Sequence, residues 1–335
     1  MKSVVLPNYN RNVLRAILSL EVRALEKPVP ERDEVLVKLH AAPVNPSDIA
    51  FIQGGYQIVK SLPAVPGFEG SGTVEEVAPG LEDWLGKSVS FFVQDDKSGA
   101  WSDYLVVKEC DLIELHEAMD MDQAACLAIN PFTAYGLFDV TGAELSRAVI
   151  VNAAGGQVPA FIRSLAQEHG VEVINIVRSQ AAFNKLKSNG EAYILLESEE
   201  GFDAKLKELA HDLEATIAFD AVAGAQSGVL FNAMPPDSEL VLYGGLSNKP
   251  VSELSTMDLI FNDKMVSGFN LSAWKELIDN KEFEEISESI QKKFITGKWE
   301  THIRSDYPFD QVTEALKSYL GDMSGGKVLL KPSKI

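Results

Sequence analysis

The sequence predicts an α/β protein in which a doubly wound parallel sheet is inserted into a largely antiparallel β domain. Residues 20–115 alternate short apolar or β-branched runs with glycine and proline turns, the texture of an antiparallel β domain. From Ala148 the pattern changes to strand, helix, strand. After residue 270 strand-like sequence returns near the end of the chain. With 335 residues, 46% hydrophobic and 24% charged, the chain exceeds what one hydrophobic core serves, so two domains are expected.

In chain order, residues 2–6 read as a strand, residues 35–39 alternate, residues 70–77 are β-branched and glycine-rich, and residues 88–93 are apolar. Gly54-Gly55, Pro66-Gly67 and Pro79-Gly80 punctuate them. Residues 149–151 form the next strand, Phe161, Ile162, Leu165 and Ala166 fall at helical spacing, and residues 171–177 close a βαβ unit. The alternation continues through a strand at 193–196, a helix at 202–213, a strand at 216–221 and a strand at 240–243 that ends on Gly244-Gly245. Such units build a parallel sheet with helices on both faces. Beyond residue 270 come an acidic helical segment, residues 297–303, a helix at 310–320 and a strand at 327–330. This tail is expected to rejoin the first domain. The expected division is 1–121 with 263–335 around a nucleotide-binding domain at 122–262.

The formal net charge of −19, with no basic cluster, argues against nucleic-acid and membrane-surface partners. Acidic stretches such as residues 197–200 and 282–288 read as solvated faces. Two cysteines, Cys110 and Cys126, are too few for a disulfide framework or a thiolate zinc cage, and fit a reducing compartment. No run approaches the roughly 20 apolar residues of a membrane span, and Met1 leads directly into strand-like sequence, so a cytoplasmic protein is expected.

A glycine loop between a first strand and its helix binds pyrophosphate, because backbone N–H groups and the helix N-terminus approach the anion without a Cβ in the way. Here the loop is Asn152-Ala153-Ala154-Gly155-Gly156-Gln157-Val158-Pro159. Against GxGxxG the three glycine places hold Ala154, Gly156 and Pro159, a weak match as a bare motif. Pro159 is expected at the first helical position, where its missing N–H costs nothing. Gln157 either donates its amide to phosphate or crowds the site. A domain that has lost tight nucleotide binding is the alternative. The second strand ends Val177-Arg178-Ser179 with no acid, which points to NADPH over NADH, since an acid there would hold the ribose hydroxyls and an arginine accommodates the extra phosphate.

Ahead of the sheet the sequence runs Asn45-Pro46-Ser47-Asp48, then Gln53-Gly54-Gly55-Tyr56, then Pro66-Gly67-Phe68-Glu69-Gly70. Further on stand Asn130-Pro131-Phe132-Thr133, Tyr243-Gly244-Gly245-Leu246, Gly268-Phe269-Asn270-Leu271-Ser272, Trp274 and Gly326-Lys327. In this order and spacing the chain resembles the medium-chain dehydrogenase/reductase superfamily over nearly its whole length, and its zinc-independent enoyl thioester and quinone reductases in particular. The resemblance implies a Rossmann-type domain inserted in a GroES-like catalytic domain, an NADPH cofactor, a small-molecule substrate and a homodimer.

It also implies site residues. The zinc alcohol dehydrogenases of the superfamily carry Cys at the place of Asn45 and His at the place of Phe68; an amide and a phenyl ring cannot reproduce that N/S site, so no metal is expected. The five histidines are scattered without ligand spacing. Tyr56 becomes the proton donor, since a phenol with an ordinary pKa of about 10 stays protonated at neutral pH; the plainer reading is an aromatic packing under the Gly54-Gly55 turn. Asn45 joins it in the catalytic loop, more as organiser than reactant, with Asp48 beside it. Asn130, Gly155, Gly156, Gln157, Val158, Arg178, Ser179, Tyr243, Gly244, Gly245, Phe269, Asn270, Leu271, Ser272 and Lys327 match cofactor-contact positions. Trp274 is assigned to the substrate pocket, lining an acyl channel, with a core role as the alternative. Three functions follow: reduction of a 2-enoyl thioester, reduction of a quinone or enone, and a noncatalytic member with an altered loop.

Overall fold

The computed structural model describes residues 1–97 and 99–332, and its contacts divide the chain into two units, residues 1–129 with the chain from Glu284 onward, and Asn130–Phe283. Both boundaries fall later than the expected 121/122 and 262/263. The short helix Met121–Ala124 stays with the first unit, where the Ser71 hydroxyl donates to the Met121 carbonyl at 2.7 Å. At the other boundary, Met265–Gly268 is the last strand of the second unit's sheet and pairs in parallel with Glu239–Leu242.

In the first unit Glu34–Pro43 is the central strand. It pairs antiparallel with Glu69–Val77 and Tyr104–Lys108, and Glu69–Val77 carries Ser88–Phe92 and then Leu112–Glu114. On the other side it takes Lys327–Lys331 antiparallel, through Leu329 against Pro43 and Leu330 against Ala42, and Ile303–Pro308 pairs in parallel with that strand. The C-terminal segment therefore completes the first unit's sheet. The central strand runs past the alternating residues 35–39, because Ala41, Ala42 and Pro43 are buried and Ala42 and Pro43 pair with the C-terminal strand. Phe51, Phe68, Phe91, Trp101 and Phe309 are fully buried in this unit's core. Gly67 has φ +92°, and a Cβ there would stand 2.5 Å from Trp101 Cδ1, so only glycine lets the chain turn past that ring into Phe68.

In the second unit six parallel strands lie in the order Tyr193–Leu196, Glu172–Val177, Ala148–Val151, Ala215–Asp220, Glu239–Leu242, Met265–Gly268. This is the doubly wound order with its reversal between the third and fourth of these, which opens a crevice at the carboxyl ends of Ala148–Val151 and Ala215–Asp220. The helix Gln157–His169 follows the first of these strands, and burial of Pro159, Phe161, Ile162, Leu165 and Ala166 gives it one apolar face. Phe202, Leu206, Ala210, Leu230, Phe231 and Met234 pack onto the sheet residues Ile150, Ile174, Ala218 and Leu240. Among the described residues no helix is long and apolar enough to cross a membrane.

Candidate active site

In the first unit the helix Pro46–Ile52 begins with proline at its first position, where no N–H is needed, and Asn45 as its N-cap. Asp48, in the third helical position, reaches back so that its Oδ2 accepts from the Asn45 N–H at 2.7 Å. The Asn45 side chain then points inward. Its amide donates to Glu69 Oε2 at 2.9 Å, and its carbonyl oxygen accepts from the Lys327 ammonium. Glu69 Oε1 accepts from the Ile129 N–H at 2.7 Å. All four side chains are buried. Burial pushes the Glu69 carboxyl up, opposed by the Lys327 charge. Burial pushes Asp48 up to about 7, with the Asn45 N–H and the Lys327 charge acting against it, and its Oδ1 has no close hydrogen-bond partner among the described residues.

Tyr56 lies half-buried beside this cluster, its ring 5.1 Å from that of Phe68, and its hydroxyl oxygen accepts from Gln94 Nε2 at 3.3 Å. Burial first, and the Asp48 charge second, raise its pKa above the ordinary 10.0. With an acceptor's role toward Gln94, the phenol keeps its own proton free to donate. Phe68 is fully buried, stacked edge-on against Phe51 at 5.4 Å. Lys327, expected as a cofactor contact, is instead buried on Asn45. The reason is electrostatic: two buried carboxyls, Asp48 and Glu69, need a cation near them.

In the second unit the expected cofactor residues stand mostly at the carboxyl ends of adjacent parallel strands. The loop closes tightly, with the Gly156 N–H donating to the Ala153 carbonyl at 2.8 Å and Ala153 at φ +46°. A Cβ on Gly156 would come 3.2 Å from that carbonyl, a tight approach that would need the carbonyl to give by a few tenths of an ångström. The first intrahelical bond runs from the Ala160 N–H to the Gly156 carbonyl, so the amides of Gln157 and Val158 precede the ladder and face the crevice end of the helix. Pro159 stands third in the helix, not first; it is still tolerated because the N–H it lacks belongs to the unpaired first turn.

Sequence reasoning missed what holds this edge. Asn152 Nδ2 donates to Asp220 Oδ1 at 2.5 Å, while its Oδ1 accepts from the Ala221 N–H at 2.7 Å, tying the two strands that flank the crevice. Asp220 also accepts from the Val222 and Ala223 N–H groups and from the Ser227 hydroxyl. Arg163, from the loop's own helix, donates to the Ala154 carbonyl at 2.8 Å and to Asn175 Oδ1 at 3.1 Å. A charged residue closing an apolar strand, as Asp220 does, was the available signal.

Two buried polar atoms here, Gln157 Oε1 and the Tyr243 hydroxyl, have no partner among the described residues. Arg178 is exposed at the end of its strand. Ser179 and Asn270 are helix N-caps, accepting from the Ala182 and Ala273 N–H groups at 3.2 and 3.0 Å. Gly244 and Gly245 are exposed, the Phe269 N–H is bonded to the Leu242 carbonyl, Leu271 and Ser272 open the next helix, and Asn130 opens the helix Asn130–Thr141. Of the two readings of Trp274 its surroundings fit the core: it is 3% exposed, its indole N–H donates to Asp139 Oδ2 at 2.9 Å, and it packs on Tyr135 and Phe269.

Comparison with known proteins matches residues 31–117 to the alcohol dehydrogenase GroES-like domain and residues 160–291 to the zinc-binding dehydrogenase family. The mitochondrial enoyl-[acyl-carrier-protein] reductase of Rattus norvegicus is 32% identical over 310 residues, covering 89% of this chain and 81% of its own. The Arabidopsis thaliana enzyme of the same name is 30% identical over 88% of this chain and 79% of its own. Among solved structures, a protein described as an NADPH:quinone reductase of Mesorhizobium loti superposes with a TM-score of 0.92 at 30% identity, covering 99% of this chain and 98% of that one.

Proposed function

The chain belongs to the medium-chain dehydrogenase/reductase superfamily and is an oxidoreductase, and on that premise we propose that it reduces the activated carbon–carbon double bond of 2-enoyl thioesters with NADPH. The observation that carries this reading is Tyr56: a half-buried phenol, held protonated, with an intact N-cap loop beside it, in a chain similar to enoyl-[acyl-carrier-protein] reductases.

The residues of the second unit fit a dinucleotide. Gly155, Gly156, Gln157 and Val158 present the loop and the first-turn amides to a pyrophosphate, and the unpartnered Gln157 and Tyr243 oxygens leave hydrogen-bonding capacity for the rest of the nucleotide. Arg178 supplies a cation where a 2′-phosphate would lie. When bound, the nicotinamide supplies the hydride that adds to the β carbon of the alkene. Tyr56 delivers its proton to the α carbon, neutralising the enolate, and the phenolate regains a proton from solvent. Asn45 fixes the loop through Glu69, Lys327 and its own N–H. These contacts, with Phe68 at the second position, also support a zinc-independent reaction, since the Asn45 side chain is already taken up by protein partners.

The neighbour described as a quinone reductase supports a second reading, in which a quinone takes the hydride. A hydroquinone anion is protonated by water, so the phenol matters less there. The test is Tyr56→Phe assayed on both substrate classes, with nucleotide binding as the folding control. A positioned general acid contributes about 100- to 10,000-fold, and that loss is expected on enoyl thioesters only. An unimpaired variant on enoyl thioesters would transfer the assignment to the quinone.

A homodimer is supported by the free edge of the second unit's sheet. Met265–Gly268 ends the strand order, and Met257, Ile260, Phe261 and Met265 beside it are 61%, 58%, 71% and 58% exposed.

A further inference from the structure

Arg163 belongs to the helix that follows the nucleotide loop, and its side chain is drawn in beneath that loop, only 13% exposed. Its Nη1 donates to the Ala154 carbonyl at 2.8 Å and to Asn175 Oδ1 at 3.1 Å, and its Nε lies 3.3 Å from Glu191 Oε1. Asn175 is fixed in turn, its Nδ2 donating to the Val173 carbonyl at 3.1 Å, the Tyr193 carbonyl at 3.3 Å and Glu191 Oε2 at 3.4 Å. One guanidinium therefore ties the loop to the strand Glu172–Val177 and to the residues that open Tyr193–Leu196. A planar fork of donors holds several acceptors in set directions, which a single ammonium does not.

The bond to Ala154 acts on the residue after it. A peptide unit is planar and trans, so its C=O and N–H point in opposite directions. With the Ala154 oxygen held on Arg163, the Gly155 N–H is turned away from the guanidinium, and it has no acceptor among the described residues. The flanking amides are already used: the Ala154 N–H donates to the Ile176 carbonyl at 3.0 Å and the Gly156 N–H to the Ala153 carbonyl at 2.8 Å. Ala153 stands at φ +46°, a left-handed conformation that an alanine keeps only where its surroundings fix it.

We propose that Arg163 is a positioning residue for the cofactor: through the Ala154 carbonyl it fixes the peptide that offers the Gly155 N–H to the pyrophosphate, beside the first-turn amides of Gln157 and Val158. The inference rests on the second unit binding a dinucleotide. Orientation is the contribution, not net charge, because Glu191 offsets the guanidinium. A donor already aimed at the anion site needs no reordering when the anion arrives, whereas a freed peptide must be ordered on binding.

The experiment measures dissociation constants for wild type, Arg163→Met and the double variant Arg163→Met/Glu191→Gln, with thermal unfolding as the control on stability. The ligands are NADPH, 2′-phospho-ADP-ribose, which keeps the diphosphate but lacks nicotinamide, and 2′-AMP, which has no diphosphate. The double variant removes both halves of the ion pair, so no unpaired charge is left beneath the loop. Both variants are expected to bind NADPH and 2′-phospho-ADP-ribose about tenfold more weakly, and 2′-AMP within about twofold of wild type. In turnover the KM for NADPH should rise by the same factor with kcat unchanged, since binding is lost without a change in the chemical step. A residue that only staples the helix to the sheet would weaken all three ligands together; that result, or unchanged NADPH affinity in both variants, would overturn the inference. If neither variant folds, amide exchange in wild type decides. The Gly155 N–H should exchange freely in the free protein and be protected by 2′-phospho-ADP-ribose but not by 2′-AMP; any other pattern overturns the inference. Failure of the nucleotide reading is distinguishable, since wild type would then bind no dinucleotide.

Discussion

Asp48→Asn tests the buried cluster beneath the active-site loop. Folding moves the Asp48 carboxyl from its ordinary 3.8 to about 7, chiefly through burial. A displacement of that size corresponds to about 4 kcal/mol of linkage between protonation and folding. The sign follows from which state holds the proton. Below pH 3.8 both states are protonated and the contribution is fully present; between 3.8 and about 7 the folded protein keeps a proton the unfolded chain has released; above about 7 the folded protein must bury the charge. Stability from this group therefore falls as pH rises from 3.8 to about 7, and above about 7 the loss is complete. Asparagine mimics the neutral carboxyl, its carbonyl able to accept from the Asn45 N–H, and removes that penalty. The variant should match wild type within about 1 kcal/mol at pH 4 and exceed it by roughly 2 to 4 kcal/mol at pH 8. Urea unfolding followed by tryptophan fluorescence reads this directly, because Trp101 is fully buried in the same unit. Glu69 titrates in both proteins and largely cancels in the difference. A variant less stable than wild type at pH 8, or a gap that does not change with pH, would refute the argument.

Arg178→Ala should cost NADPH about 1.5 to 3 kcal/mol of affinity, roughly tenfold or more, and leave NADH unchanged, as read by fluorescence titration of both nucleotides; equal wild-type affinities would remove the NADPH assignment. Phe261→Asp, placing a charge on the exposed apolar edge beside Met265–Gly268, should convert a dimer to a monomer in light scattering, with the unfolding transition otherwise retained. Elemental analysis should find no stoichiometric zinc, and a chelator should leave activity unchanged; activity lost to chelation and restored by zinc would overturn the zinc-independent reading.

The periodicity of the sequence was enough to determine the architecture. Apolar runs of four to six residues alternating with helical spacing between residues 148 and 242 admit little besides a parallel doubly wound sheet, and the glycine turns before residue 115 mark antiparallel strands. The strand-like tail and the sequence around Tyr56 were legible for the same reason, since local pattern and turn chemistry are written in neighbouring residues. The domain ends were not, because membership of Met265–Gly268 in the sheet depends on pairing with a strand more than twenty residues earlier. Side-chain roles set by distant partners were equally hidden. Lys327 reads as a cofactor cation in the chain, yet two buried carboxyls from residues 48 and 69 draw it inward. Trp274 reads equally as channel wall or core, and Asp139 offers its indole a partner in the core. At Val59-Lys60 the hydropathy order is inverted outright: Phe51, Phe68 and nearby carboxylates take in the lysine, and the valine is left exposed. Burial is decided by which groups the fold brings together, and for a charged side chain that means partners the local sequence does not contain.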